Sequence, residues 1–415
     1  MRRKSFVRMV VGIVATVAVT LMLGSSALAQ VKYKTLQKFN ALCGRGCGPI
    51  AGVIFDAAGN LYGTTPTGGK GWKRGVVFEL TPTAKGPWTE KLIQPDFNDR
   101  GTPLAGLTFD AAGNLYGTES RGGWWRNGAV FQMVPNSDGS WAFNWIHSFG
   151  GREGAYPAAV VIFDAAGNLY STTSGGDCFE GCSSNNVFEL FPNSDGDWKE
   201  SVLYPFTDGS DGGPPSGSLV FDPIGNIYGA TSQGGDMSAC GGNGCGVIYK
   251  LSPNLDGSWA ESVLHRFSGN KDGAGPAGPV LDKSGNLYST TSSGGAYGYG
   301  NVFKLTPNSD GTWTEHVLHQ FGGKEGSNPF AGLIFDNSGN LYGTASHGGT
   351  YGYGVVFKMI PTASGGWKYQ TLFNFDNAPS AYPYAGLTLD SAGNLYGTTG
   401  GDGSKTFGSV FEITP

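Results

Sequence analysis

The chain has 415 residues, 71 of them glycine, with 14% charged residues and a formal net charge of −5. A mildly acidic chain without a basic patch excludes nucleic acid or an anionic membrane as its principal partner. The glycine share exceeds the usual ~7%, yet the glycines recur at fixed positions, so they read as turn and loop residues of a folded array.

Arg2, Arg3, Lys4 and Arg8 precede an uncharged apolar run from Met9 to Leu23, and Ala27-Leu28-Ala29 has the small-x-small pattern of a processing site. This order predicts a signal peptide over residues 1–29, removed after Ala29. The apolar run falls short of the ~20 residues that span a bilayer comfortably, which disfavours a retained anchor. No cysteine near the cleavage point offers a lipid attachment site, and no second apolar stretch stands at the C-terminus, so no membrane insertion is expected after cleavage. Without the four basic residues of the leader, 23 basic residues face 32 acidic ones, a net charge of −9. The expected product is an exported protein, periplasmic or extracellular.

From there the chain is one repeated unit. Asp-x-x-Gly-Asn-(Leu/Ile)-Tyr recurs with its Asp at 56, 110, 164, 222, 282, 336 and 390. In the second unit an apolar strand from Pro103 ends at Asp110, and the turn Ala111-Ala112-Gly113-Asn114 leads to a strand opening Leu115-Tyr116-Gly117-Thr118. A glycine-rich loop, a third strand from Ala129, the turn Pro135 to Gly139 and a fourth strand, Trp141 to Phe149, complete it. Val, Phe, Tyr, Thr and Trp fill the strands, and Gly, Asn, Asp and Pro mark the breaks. Four short antiparallel strands per unit, seven times over, predict an all-β, seven-bladed β-propeller as a single domain over residues 30–415. The seven aspartates recur with the turn, so they read as turn acceptors rather than catalytic acids or calcium ligands.

The two ends of the array are complementary. Lys32 to Phe39 aligns with the fourth strand Lys368 to Phe375 with five identities in eight, while the last repeat stops after a third strand, Val410 to Ile413. The N-terminal segment is therefore expected to close the ring as the outer strand of the last blade, removing two open sheet edges. Six cysteines form three close pairs, Cys43/Cys47, Cys178/Cys182 and Cys240/Cys245. In an oxidising compartment these predict three loop-stapling disulfides. No histidine stands at ligand spacing to any of them, so no cysteine metal site is expected.

Strand alternation puts the short, stereotyped turns on one face and the longer, variable second-to-third and fourth-to-first connections on the other. Function is expected on the variable face. Departures from the sevenfold pattern there are the candidates for ligand binding: Trp72 with Lys73 and Arg74 in the first repeat; Glu119, Arg121, Trp124, Trp125 and Arg126 in the second; Tyr297 and Tyr299 in the fifth; and His347, Tyr351 and Tyr353 in the sixth. Exposed rings offer flat faces to sugars or peptide side chains; the same rings can equally seal blade edges. His147, His265 and His319 share one fourth-strand position with Gln94, Tyr204 and Phe373, which argues against imidazole chemistry, and His316 lies on the same kind of strand. A lyase or hydrolase would need an acid–base pair, and Glu119 with His347 is the combination on offer, if the two meet across the central mouth. Asp208-Gly209-Ser210-Asp211 is oxygen-rich enough to raise calcium as a cofactor; no other cofactor or metal is expected.

Two motifs, Gly-Asn-Leu-Tyr-Gly-Thr-Thr and Gly-x-Val-Phe-x-Leu-x-Pro, stand at Gly59 to Thr65 with Gly75 to Pro82; at Gly393 to Thr399 the first is followed by a related Gly408 to Pro415. On these the sequence resembles the GloVer-type tandem-repeat proteins, over essentially the whole mature chain. It is more distantly similar to the NHL-type and streptogramin-lyase-type propellers. The resemblance implies a repeat fold and export but no established chemistry; the C-terminal surface anchor common in that family is not expected here. Composition, motifs and resemblance together favour a non-enzymatic binding or interaction propeller, with a glycan or an envelope protein as partner. A polysaccharide-active lyase or hydrolase, and a structural surface component, are the alternatives.

Overall fold

The computed structural model describes residues 31–69, 75–84, 86–94, 101–151, 153–175, 185–378, 380–404 and 406–415. The leader and the pair Cys178/Cys182 lie outside the described residues. Seven antiparallel sheets follow one another along the chain, and they make a seven-bladed β-propeller. Blade 2 is representative, with strands Thr108–Phe109, Leu115–Glu119, Ala129–Pro135 and Trp141–Ser148 from the inside outward. The ring closes as the sequence predicts: Lys32–Lys38 pairs antiparallel with Ser409–Thr414, from Lys32↔Thr414 to Lys38↔Ser409.

Each inner hairpin is built around the repeated aspartate. In blade 2, Asp110 Oδ1 accepts from the backbone amides of Ala112 (2.9 Å) and Asn114 (2.8 Å), and Oδ2 accepts from Asn114 Nδ2 and the Tyr116 hydroxyl. Gly113 takes φ 85° to close the turn. The same four bonds recur at Asp390. Burial alone would raise the Asp110 pKa, but the bonds from Asn114 and its neighbours outweigh it and hold the carboxyl below its ordinary value. These side chains are saturated by their own turn, which is the structural role expected of them.

The innermost strands are shorter than the sequence pattern indicates, two residues in blades 1, 2, 3, 6 and 7. In blade 5 the segment breaks into Ala274–Pro276 and Val280–Leu281. Blade 4 is the exception, with an inner strand Pro215–Phe221. A Cβ added at Gly52, Gly106 or Gly386 would stand 3.3–3.7 Å from a carbonyl oxygen of the preceding blade or from a side chain of the following one, so backbone there faces the neighbouring sheet rather than continuing a ladder.

Adjacent blades are tied by a repeated side-chain bond. The first threonine after Tyr-Gly donates to the carbonyl of the next blade's inner alanine: Thr64 to Ala105 (2.9 Å), Thr344 to Ala385 (2.9 Å), and Thr398 across the closure to Ala51 (2.8 Å). Third-strand aromatics Phe78, Phe131, Phe188, Phe303, Phe357 and Phe411 are fully buried between sheets. Every such ring removes apolar area worth roughly 2–3 kcal/mol from water, so the core is distributed around the ring rather than concentrated at one centre.

Candidate functional site

The second-to-third and fourth-to-first connections do share a face, because they hydrogen-bond to each other within each blade. Ser120 N donates to Thr102 O and Thr102 N to Arg121 O in blade 2, and Ser327 and His347 exchange both backbone bonds in blade 6. Two of the predicted disulfides stand on this face, Cys43–Cys47 with Cα atoms 5.2 Å apart and Cys240–Cys245 at 5.4 Å. Each staples a short loop that is also tied by backbone bonds at Cys47 or Cys245.

Trp72 lies outside the described residues. Glu119 is the last residue of the second strand and is fully buried, not presented to solvent. Its Oε1 accepts from Trp145 Nε1 at 3.0 Å, while Oε2 has no hydrogen-bond partner. Burial pushes its pKa up to about 8, against a smaller lowering by the Trp145 bond. Trp145 faces Phe131 on the third strand, where the other blades place Leu92, Val202, Val263, Val317, Thr371 or Thr35. The departure at Glu119 thus has a partner departure at Trp145, which sequence reading overlooked among the strand aromatics.

Above this pair, Trp124 and Trp125 are 71% and 66% exposed, and Trp124 meets Trp145 edge to face at 6.4 Å. Arg121 and Arg126 are exposed beside them. Arg121 lines a cavity of about 220 Å³ with Leu104, Ser120, Tyr156, Ala158 and Ser174. Ser174 continues into a larger polar cleft of about 410 Å³, whose walls include Asn185, Asp208 and Gln233. Asp208 accepts from Asn185, and Asp211 is occupied by the Thr207 amide and hydroxyl and by Tyr204. The loop raised as a calcium candidate therefore spends its carboxylates on its own architecture.

Blades 5 to 7 present the other aromatic group. Tyr297 (65%), Tyr351 (59%) and Tyr299 (44%) are exposed, and Tyr299 lies over Gly323. His347 sits among rings: Tyr382 at 4.9 Å, Tyr384 at 6.3 Å, with Tyr353 5.7 Å from Tyr382 and Phe330 6.1 Å from Tyr384. Phe330 is half exposed. Phe330 and Tyr384 immediately precede the inner Ala-Gly of their blades, at the axial end of the loop face. Ser346 Oγ donates to Asn328 O and stands 2.8 Å from His347 Nδ1. With its one proton spent, the hydroxyl can only accept from Nδ1, leaving Nε2 as the acceptor of a neutral ring. Burial lowers the His347 pKa and so favours that neutral form. Glu119 makes its contacts within blade 2 and does not join His347.

The strand histidines occupy blade boundaries. His147, His265 and His319 pair in register with Val130, Ile248 and Val302, as Phe373 does with Val356. At this level each boundary joins two outer strands differently: Gln37 Nε2 donates to Glu90 (2.9 Å), His319 stacks on Tyr369 (4.0 Å), and Phe373 stacks on Tyr33 (4.2 Å).

Stereotyped turns on one face and graded loops on the other define a repeat propeller in which the ring is the scaffold. The chain matches the Gloeobacter/Verrucomicrobia repeat over residues 25–241 and 237–415, and it belongs to that family. No curated protein matches it in sequence. Among solved structures it is similar to a gluconolactonase of Xanthomonas campestris (16% identity, 75% of this chain and 85% of that one, TM-score 0.44). A luciferin-regenerating enzyme is similar at 14% identity over 74% and 90% of the two chains, TM-score 0.44. A putative oxidoreductase (glucose dehydrogenase) of Thermus thermophilus matches at 14% identity over 92% and 100%, TM-score 0.43. At these values the activities of those enzymes do not carry over.

Proposed function

We propose that the chain is an exported, non-enzymatic binding propeller whose loop face takes a glycan. The observation that carries this reading is the cluster Phe330, His347, Tyr353, Tyr382 and Tyr384, rings from two blades gathered at the axial end of the variable face. Stacking faces bind the apolar side of a sugar ring at little cost in side-chain entropy. A neutral His347 Nε2 supplies an acceptor for a hydroxyl, and the Asn185–Gln233 cleft supplies further polar groups on the same face. Acid–base catalysis is the weaker reading, because the acid nominated to work with His347 is sealed under its own loop in blade 2. The leader pattern and the disulfides support export.

A glycan array probed with the intact protein tests this. Binding of one glycan class is expected, weakened at least tenfold in Phe330→Ala and Tyr384→Ala, with Trp124→Ala and Trp125→Ala reporting whether blade 2 shares the site. Absence of binding across the array, or binding untouched by all four changes, sinks the glycan reading.

A further inference from the structure

Among the described residues, the boundary between blades 2 and 3 is where ligand-type side chains converge most closely. His147, on the outer strand Trp141–Ser148, faces Glu200 on the neighbouring outer strand Trp198–Pro205, and Glu153 reaches in from the connection between the two blades. One imidazole nitrogen and one oxygen from each carboxylate lie within 4.8 Å of one another. His147 Nε2 is 3.1 Å from Glu200 Oε2, yet it makes no well-angled hydrogen bond. The Glu200 side chain is only 8% exposed, and its Oε1 has no partner at all. A buried carboxylate with one oxygen against an imidazole and the other unpartnered calls for a further partner; His265 and Glu315 have the same unpartnered atoms, but here a third donor converges on the pair.

The closest pair of the three has the spacing of two ligands on one cation. Ligand atoms held at ~2.0–2.2 Å from a tetrahedral centre stand roughly 3.3 Å apart, close to the His147–Glu200 separation. Glu153 is held in place: its Oε1 accepts from the Gly150 amide at 2.6 Å, as Glu325 does from Gly322, and its own carbonyl accepts from Asn186 Nδ2. Related boundaries act as internal controls. His265 has both counterparts, Asp272 at 3.5 Å and Glu315 at the register position of Glu200, yet the three do not converge as closely; His319 is 3.7 Å from Glu325, and Tyr369 stands where the second acid would. Among the described residues, His147, Glu153 and Glu200 form the one group whose donor atoms converge. Sequence reading passed over His147 because Gln, Tyr and Phe share its position; the acids that single it out come from a loop and a different blade.

We propose that His147, Glu153 and Glu200 bind a divalent transition-metal ion, Zn²⁺ by ligand type, as a clamp between the outer edges of blades 2 and 3. One imidazole with two carboxylates suits zinc better than calcium or magnesium, which take oxygen alone. Solvent completes the coordination; the role assigned is tethering, because the two strand ligands come from the outer strands of neighbouring blades.

The test is titration of chelator-stripped full-length protein with Zn²⁺ by calorimetry, and with Co²⁺ by visible absorption, alongside thermal unfolding. Saturable one-to-one uptake and a raised midpoint are expected. His147→Gln and Glu200→Gln should weaken uptake by more than about a hundredfold, beyond the 10–100-fold typical of outer-shell losses, while His265→Gln leaves it intact. Glu153→Gln, on the connecting loop, serves if either strand variant misfolds. No saturable uptake by the wild type, or uptake that survives the ligand changes, overturns the proposal.

Discussion

The two faces of the ring use similar residues to opposite ends. On the turn face, Asp110 and its counterparts bind only their own hairpins, each carboxylate taking bonds from Asn and Tyr within six residues. On the loop face, His347 and Tyr382 come from neighbouring blades, and Phe330 and Tyr384 leave ring surface open. Polar groups that are saturated locally make a frame. Groups that are brought together from a distance and left partly open make a site. Glu119 warns against equating a departure from the repeat with function, since it is matched inside the same blade by Trp145.

If that division holds, damage to the frame should cost stability and damage to the loop face should cost binding. The largest effect is expected from deleting residues 31–39. That removes the outer strand of blade 7, the Tyr33–Phe373 stack and the Tyr33–Ser380 bond. Loss of the cooperative thermal transition, or oligomers by light scattering, should follow; an unchanged midpoint would mean that closure does not depend on this strand.

Next comes Glu119. Its folded pKa lies above the ordinary carboxylate value, so the folded chain holds this proton when the unfolded chain has released it. The sign follows: stability is greatest in acid and falls as pH rises from the ordinary carboxylate range towards about 8. Every tenfold gain in proton affinity on folding corresponds to roughly 1.4 kcal/mol. Glu119→Gln should remove most of that slope in denaturant titrations at pH 5 and pH 8. Equal slopes in both proteins would contradict the burial account.

Asp110→Ala leaves four donors without their acceptor and should cost about 2–3 kcal/mol, read as a midpoint lowered by a few degrees with glycan binding unchanged. Trp124→Ala is the smallest lesion. It should move the midpoint by less than about 1 kcal/mol equivalent, because the ring is mostly exposed and touches Trp145 only at its edge.

The frame was almost fully legible in the sequence, because its bonds are local. Asp to Asn is four residues and Asp to Tyr six, so a motif contains them, and the closing strand announced itself by its likeness to Lys368–Phe375. The short inner strands were not legible, since the Ala-Gly segments before them face the neighbouring blade, which no residue's own preference indicates. Of the loop-face cluster, His347 and Tyr353 stood out as departures. Phe330, Tyr382 and Tyr384 did not, although Phe330 and Tyr384 stand in a recurrent Pro-x-Ala-Gly stretch where Ile50 and Leu104 hold the same place. Tyr156 and Tyr382 do share a detectable signal: each precedes a proline with φ near 60°, which is uncommon for a tyrosine.

The separation of frame from site is tested most directly by measuring the thermal midpoint and the glycan-array signal together for Asp110→Ala and Tyr384→Ala. Asp110→Ala should lose several degrees and keep its array signal, while Tyr384→Ala should keep its midpoint and lose at least tenfold in binding. Two variants that fall together in both measurements, or Tyr384→Ala losing stability with binding intact, would contradict the account.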